Sequence, residues 1–538
     1  MTTTFPTAET AELDTADLDS ADLDTVHPLI HEAVSRQALE RPEAVAMVFR
    51  DERISYATLD AAADEYAVRL QALGVVPGDI VPLWLPRSPR MVAALLGVLK
   101  CGAAYAAFDH RWPTERVASL VDRLHPRVLI SENRAGGDGV PLWQPPQETL
   151  ETTAGSASAA RPTPVLLAPS APACVFFTSG TTGSPKGVVS PHEGTTRLFG
   201  PGRLRGYGPG RVAPQSAPCA WDAFSLELWG MLTTGGTTVL VEEDYLLPGA
   251  LRDMVAADGV DTVFVTSSLF NLFVDMDLDC FSGVKQVYTG GERLSAAHIR
   301  RFLTRLPEIQ LFNAYGPVES CVFTTAHLLE VADCDTPGGL PIGRPVSATQ
   351  VYVVADGRIC GPGEEGEICV GGAGLATGYL GQPELTAEKF AAITVDGEPV
   401  RVYHTGDVGF QDASGVLHFR GRADRQVKVR GFRIEPGEIE NAAMRVPGVL
   451  RCVVVPVPGR TATYEQLALF YTLPPAEAAA EAPTDSPSTA VDPLGLQPAL
   501  AGFLPPYLVP DTVRAVPEFP MTPNGKVDEK ALLALLPD

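Results

Sequence analysis

The ten residues from Thr178 to Gly187 read Thr-Ser-Gly-Thr-Thr-Gly-Ser-Pro-Lys-Gly. Gly180, Gly183 and Gly187 allow backbone conformations closed to residues with a Cβ, so successive amides can turn toward one anion. Thr178, Ser179, Thr181 and Thr182 add hydroxyl donors, and Lys186 adds a positive charge. Together these are the parts needed to grip a polyphosphate. The spacing differs from the GxxxxGK[ST] loop, because Lys186 follows Ser184-Pro185 and precedes a glycine. Other residues suggest chemistry only in combination. Lys526 closes a Pro-Asn-Gly-Lys turn and, taken alone, is a surface charge. Asp222 and Glu319 could equally be a helix cap and a solvated turn carboxylate.

Several elements must position this loop. Cys174 to Phe177 reads as a strand running into it, and Thr262 to Val265, Val284 to Tyr288 and Ile309 to Phe312 are similar short β-rich runs. Arg53 to Tyr56 reads as a strand. It is followed by Leu59, Tyr66, Leu70 and Leu73 at helical spacing, and Pro89 to Lys100 reads as an amphipathic helix. Strands alternating with helices predict an open α/β sheet, whose ligands sit beyond the carboxyl ends of its strands. The stretch from Gly136 through Pro172 is rich in Pro, Gly, Ser and Ala and reads as a surface loop.

The 538 residues are 45% apolar and 20% charged, a foldable composition that on length alone allows roughly three to five domains. The net charge of −24 argues against a general nucleic-acid binder, which presents basic surface. Seven acidic and no basic residues precede His27, so residues 1–26 read as a disordered acidic tail. A second biased stretch, Pro474 to Pro493, reads as a flexible insertion. The nine cysteines form no CxxC pair and the nine histidines no HExxH pattern. This predicts reduced thiols in a cytoplasmic protein and no dedicated zinc site. No signal peptide or membrane helix is expected.

Several motifs, taken in order, resemble the adenylate-forming superfamily, which includes acyl-CoA synthetases, luciferases and the adenylation domains of nonribosomal peptide synthetases. Thr178–Gly187 resembles its phosphate loop. Leu99–Tyr105 with Asp109 and Pro113 resembles LKAGAAYVPLDP, and Asn313–Glu319 resembles NAYGPTE. Gly366–Tyr379 resembles GELCIGGxGLARGY, Tyr403–Asp407 resembles YRTGD, and Gly421–Gly431 resembles GRxDxQVKIRG. Pro523–Lys526 resembles the terminal NGK motif. The resemblance covers about residues 27 to 538 and is closest to a stand-alone amino-acid adenylation domain.

That resemblance implies an α/β fold: a large N-terminal domain of mixed sheets and helices (27–423) and a small mobile α+β C-terminal domain (424–538). It implies ATP and Mg2+. Lys526 becomes the catalytic lysine, bridging the substrate carboxylate and the α-phosphate. Glu319 becomes the metal ligand, and Asp407 and Arg422 hold the ribose. Tyr315 lies against adenine, with Gly290, Gly291, Glu292 and Asn313 at its edges and Ala314 and Gly316 beside it. Asp424 is the hinge, and Lys428 serves the second of two faces that the small domain presents. Val318 stands where the family has threonine, removing one hydroxyl from the α-phosphate site. Such a loss costs up to about 10²–10³ in rate.

Asp222 matches the residue that receives the α-ammonium in amino-acid-activating members, a charge-assisted pair in a dry pocket. Trp221 replaces the usual phenylalanine and is expected to shift the substrate backbone. The side-chain pocket is expected from Ala223, Leu226, Val265, Tyr288, Gly290, Ala314, Val322 and Phe323. None is charged, so a charged side chain would be desolvated without a partner. A neutral, mainly apolar amino acid follows, with branched aliphatic and aromatic side chains both open. The partner expected is a carrier protein with a phosphopantetheine arm, in trans, because no carrier serine motif follows Lys526. A small helper protein is left open, and no nucleic acid or membrane is expected. The alternative is an acyl-CoA ligase acting on a non-amino acid.

Overall fold

The computed structural model describes residues 27–135, 139–155, 161–178, 185–199, 204–423, 425–459, 463–473, 492–521 and 527–536. Residues 1–26 (the expected acidic tail), residues 179–184 of the expected phosphate loop, the expected hinge Asp424, most of the expected 474–493 insertion and Lys526 lie outside them. At the described end of the insertion, Asp492 accepts hydrogen bonds from the Tyr471 hydroxyl and the Gln497 amide.

A seven-stranded sheet runs in the order Gly378–Tyr379, Lys186–Pro191, Pro172–Thr178, Ala104–Ala107, Ile80–Trp84, Leu129–Ser131, Leu142–Trp143. Pro172–Thr178 and Lys186–Pro191 pair antiparallel, so the two ends of the phosphate loop are pinned side by side, Thr178 opposite Lys186. A five-stranded sheet carries Thr262–Thr266, Gln286–Gly290 and Gln310–Tyr315 in parallel, then Thr325–Leu328 and Arg344–Pro345 antiparallel. Gln286–Gly290, the middle of the three parallel strands, is buried along its whole length, as a parallel strand covered on both faces is. The expected strands are all present, with ends shifted by at most three residues.

The helices follow their predicted periodicity. Tyr56–Ala72 buries Leu59, Tyr66 and Leu70, and the Ser55 hydroxyl accepts from the Thr58 amide at its N-cap. Pro89–Lys100 begins on Ser88, which caps Met91, with proline in the first turn. The Gly136–Pro172 stretch differs from expectation. Trp143 and Leu150 are buried, and Trp143 meets Tyr66 edge-on at 5.1 Å. These two apolar side chains anchor a short strand and the helix Leu150–Gly155 within a turn-rich sequence. Among the described residues no helix is long and apolar enough to cross a membrane.

The C-terminal part has its own core. Val429, Ile439, Val454, Leu469 and Leu500 bury together, and Phe470, Phe519 and Leu532 form a second cluster on the other face of the same sheet. Its first hairpin pairs Val427–Val429 with Phe432–Ile434. The two residues between, Arg430 (φ 53) and Gly431 (φ 85), both sit in the left-handed region, the requirement of a tight type I′ turn.

Two glycines fix how closely the site's strands approach. A Cβ on Gly290 would lie 1.9 Å from the Ala314 carbonyl oxygen, and one on Gly316 would lie 2.2 Å from that of Val322. In both cases the obstacle is backbone, which cannot step aside as a side chain would. Gly290→Ala is therefore expected to lower stability by about 1–3 kcal/mol, measured as an earlier urea midpoint. An unchanged midpoint would show that the strands can separate freely.

Candidate active site

The carboxyl ends of the strands converge as the open-sheet reading expects. Thr178, Thr266, Gly291 and Tyr315, each at or just beyond a strand end, line one cavity of about 130 Å³. Trp221, Asp222, Ala223, Ala314, Val322 and Phe323 complete its inner wall. A neighbouring cleft of about 540 Å³ is lined by Glu292, Asn313, Tyr315, Asp407, Arg422 and Lys428.

Asp222 precedes the helix Ala223–Thr234 but does not cap it. Its backbone is already helical and its side chain makes no cap hydrogen bond. Instead the carboxylate accepts from the Val322 amide at 3.1 Å. That amide is aimed by two successive left-handed residues, Cys321 (φ 49) and Val322 (φ 74), a conformation rare for a β-branched side chain. Burial pushes the Asp222 carboxyl up to about 6, partly offset by the Val322 amide and the Lys428 charge. It is a buried acid whose charge its surroundings only partly compensate.

The expected pocket residues divide. Ala223, Ala314, Val322 and Phe323 face the cavity. Leu226 and Tyr288 pack one layer behind them, with the Tyr288 hydroxyl donating to the Arg205 carbonyl. Gly290 acts through close strand approach rather than as lining. Val265 is a correction. Side chains alternate along a strand, and Val265 points away into the core with Phe270, Val287 and Ile299. Phe264 faces the cavity instead, with its ring 5.9 Å from that of Phe323.

On the nucleotide side, Asp407 accepts from the Tyr315 hydroxyl and from Arg422. Asn313 donates to the Pro341 carbonyl at 2.6 Å. Lys186 is buried 3.7 Å from Glu435, and burial lowers its pKa. The Thr178 hydroxyl is buried with no hydrogen-bond partner. An unpaired donor beside a buried lysine at the phosphate-loop strands fits an anionic ligand.

Glu319 is fully buried in a short 3₁₀ turn, and the Tyr379 hydroxyl donates to it at 2.8 Å. Its other oxygen pairs with Arg433 at 2.6 Å. Burial alone would raise its pKa, but the Arg433 charge and the Tyr379 hydroxyl outweigh burial and hold it below the usual range. Arg433 belongs to the C-terminal hairpin, which reaches into the site by several contacts. The Gly431 amide donates to Glu292 at 2.7 Å, and Phe432 meets Trp221 edge-on at 4.2 Å. Phe432 in turn stacks on Tyr507 at 4.1 Å. Buried Arg116 pairs with Glu438 at 3.1 Å.

Sequence reasoning missed Phe264, Tyr379, Phe432 and Arg433. The last two directly follow the Gly421–Gly431 motif, and the two-residue turn between alternating strands was the available signal.

Comparison with known proteins decides the family. Residues 34–380 match the AMP-binding enzyme family, and residues 438–526 match the AMP-binding enzyme C-terminal domain. The chain belongs to the AMP-binding enzyme family. A linear gramicidin synthase of Brevibacillus parabrevis is 36% identical over 525 residues, covering 94% of this chain and 6% of that protein. Tyrocidine synthase 3 of the same organism is 35% identical over 510 residues, covering 94% and 8%. The dimodular nonribosomal peptide synthase of Bacillus subtilis is 34% identical over 532 residues, covering 94% and 22%. The chain thus spans less than a quarter of each of these relatives. Among solved structures, holo-PA1221, an NRPS protein containing adenylation and PCP domains bound to a vinylsulfonamide inhibitor, has 31% identity and a TM-score of 0.82, covering 94% of this chain and 84% of that one. A second PA1221 structure aligns over 97% of this chain and 99% of that one, with 31% identity and a TM-score of 0.80. This AMP-binding enzyme is an ATP-using ligase of the nonribosomal peptide synthetase adenylation type, with a large N-terminal and a small C-terminal domain.

The Arg433–Glu319 pair makes the hairpin's docking testable. Removing one partner of a buried pair is costly, about 3–5 kcal/mol, unless the hairpin withdraws and lets water reach Glu319. Arg433→Met is therefore expected to speed amide exchange at Gly431 at least about tenfold while leaving Leu469 protected. Equal protection in both proteins would mean the pair does not hold the hairpin.

Proposed function

We propose that this enzyme activates a neutral, apolar L-amino acid as its aminoacyl-adenylate. It then passes the acyl group to the phosphopantetheine thiol of a carrier protein supplied in trans. One observation carries the amino-acid reading: Asp222 is a buried carboxylate whose raised pKa the Val322 amide and the Lys428 charge only partly offset, and it borders a cavity beside the uncharged Ala223, Ala314, Val322 and Phe323. An α-ammonium would give Asp222 a direct charge-assisted partner, and a fatty or aryl acid would not. Phe264 and Phe323, with Tyr288 behind, narrow the pocket floor. Among apolar side chains, branched aliphatic ones suit this floor better than aromatic ones.

In this reading the residues divide the work by position. Asp222, held by the Val322 amide, fixes the amino end of the substrate, which sets the carboxylate toward the strand ends. Thr178, Lys186 and the amides of the 179–183 stretch hold the phosphates. Asp407 and Arg422 hold the ribose, with Tyr315 against the base. Lys526 neutralises the substrate carboxylate and the α-phosphate oxygens while the carboxylate oxygen bonds to the α-phosphorus and pyrophosphate leaves, and the reaction is mainly positioning and charge stabilisation. Glu319 would hold Mg2+, whose hard oxygen preference suits a carboxylate plus phosphates. Bound there, the ion neutralises charge on the leaving pyrophosphate. Arg433 must first leave Glu319. We therefore assign the docked hairpin, with Lys428 beside Asp222, to the thioester-forming face. We place the hinge at Asp424, between domains spanning 27–423 and 424–538.

The deciding experiment is ATP–pyrophosphate exchange across the amino acids and across fatty and aryl acids, repeated with Asp222→Ala. Exchange with valine-like substrates that falls at least about a hundredfold in the variant supports the reading. Exchange only with non-amino acids would instead identify an acyl-CoA ligase. Lys526→Ala is expected to abolish exchange in a protein that unfolds normally, and activity within about tenfold of the parent would remove Lys526 from the reaction. The pH dependence has a definite sign. An Asp222 carboxyl poised near 6 loses its charge in acid, so KM for the amino acid should rise as pH falls through about 6. The limiting slope is about tenfold per pH unit, and this limb should be absent in Asp222→Ala.

A further inference from the structure

Away from this pocket, three potential metal ligands converge on the antiparallel sheet that delivers Asp407. Cys369 and His404 are cross-strand partners on Gly366–Gly372 and Tyr403–Gln411. Glu367, two residues before Cys369, lies on the same side. One ligand atom from each lies within 4.8 Å of the other two. We propose that Glu367, Cys369 and His404 form a binding site for a zinc-class divalent cation, with three protein ligands and an open fourth position.

The geometry favours this over a plain ion pair beside a packed thiol. A single imidazole nitrogen, His404 Nδ1, faces both the Cys369 sulfur at 3.6 Å and Glu367 Oε2 at 2.9 Å. One ring proton can serve one of them, whereas a cation at the centre serves all three. Zinc bonds of about 2.3 Å to sulfur and about 2.0–2.2 Å to nitrogen and oxygen give tetrahedral edges of about 3.4–3.6 Å. The sulfur–nitrogen edge already has that length. The nitrogen–oxygen edge needs to open by about 0.5 Å, a small rotation of Glu367. The second carboxylate oxygen is held by the Gly406 amide at 2.9 Å, the kind of outer contact that orients a metal ligand.

Thiolate, imidazole and carboxylate together are the donor set of a borderline-soft ion rather than of Mg2+. Cys369 is buried while Glu367 and His404 are partly exposed, so the ion enters from solvent and the sulfur closes the inner side. Burial, reinforced by the Glu367 charge, keeps the free thiol protonated, with its pKa pushed up to about 12. Binding therefore releases the thiol proton to solvent as the metal–sulfur bond forms. Asp407 lies three residues beyond His404, so a bound ion would cross-link the strands just ahead of the proposed ribose site.

The test uses the full chain. Zn2+ is titrated in competition with a chromogenic chelator, and Co2+ is used as a spectroscopic probe. One equivalent of Zn2+ is expected in the parent, with affinity falling at least about tenfold in Cys369→Ser and in His404→Gln. Glu319→Gln should keep the equivalent, separating this site from the magnesium position. The parent loaded with Co2+ should show a sulfur-to-cobalt charge-transfer band that Cys369→Ser lacks. A parent without that band, or variants that both keep the zinc equivalent, would overturn the proposal without relying on either variant's folding.

Discussion

A buried carboxylate keeps its charge most readily where a cation meets it, and at the centre of this enzyme the carboxylate so held is Glu319. In the present arrangement the cation is Arg433, brought in from the small domain, with the Tyr379 hydroxyl on the other oxygen. The attraction is strong because the pair is dry, and the desolvation it must offset is large for the same reason. Such a pair adds little net stability. It makes a dry separation costly, since Glu319 would keep the Tyr379 hydroxyl but lose its cation unless water reached it.

Other contacts refine where the hairpin stops. The left-handed pair Arg430–Gly431 produces a turn narrow enough to enter the site, and the Gly431 amide reaches Glu292. Phe432 inserts between Trp221 and Tyr507, joining one ring of the large domain to one of the small. Aromatic contacts of this kind contribute about 0.5–1.5 kcal/mol each, enough to set register but not to lock it. Trp221, expected from sequence to act on the substrate backbone, has a role in domain contact that its residue type alone did not reveal.

What was legible in the sequence follows physical rules. Strands and helices with clear periodicity, such as Thr262–Thr266 and Pro89–Lys100, were found to within a few residues. Ordered motifs carried the family, because each combines residue types that chemistry requires at fixed spacing. Val265 failed for a reason of period two: a one-residue error in register turns a side chain to the opposite face, and Phe264 was the inward residue. Arg433 was hidden differently. Its partner is 114 residues away, and no local pattern announces an ion pair formed only when two domains meet. The Glu367–Cys369–His404 group was invisible for a similar reason, since cross-strand pairing rather than sequence spacing brings it together.

The close approach of strands at Gly290 and Gly316 bears on how such a pocket can be redesigned. Backbone atoms there already stand where a Cβ would go, so the pocket cannot be narrowed by adding a side chain at either position. Its size can be adjusted only through the rings and methyl groups that project inward, chiefly Phe264, Phe323 and Val322. A laboratory search for altered selectivity would thus explore a small combinatorial space on a rigid frame. Successive trimming of one aromatic floor should move the enzyme stepwise along a series of bulkier substrates without rebuilding the nucleotide side.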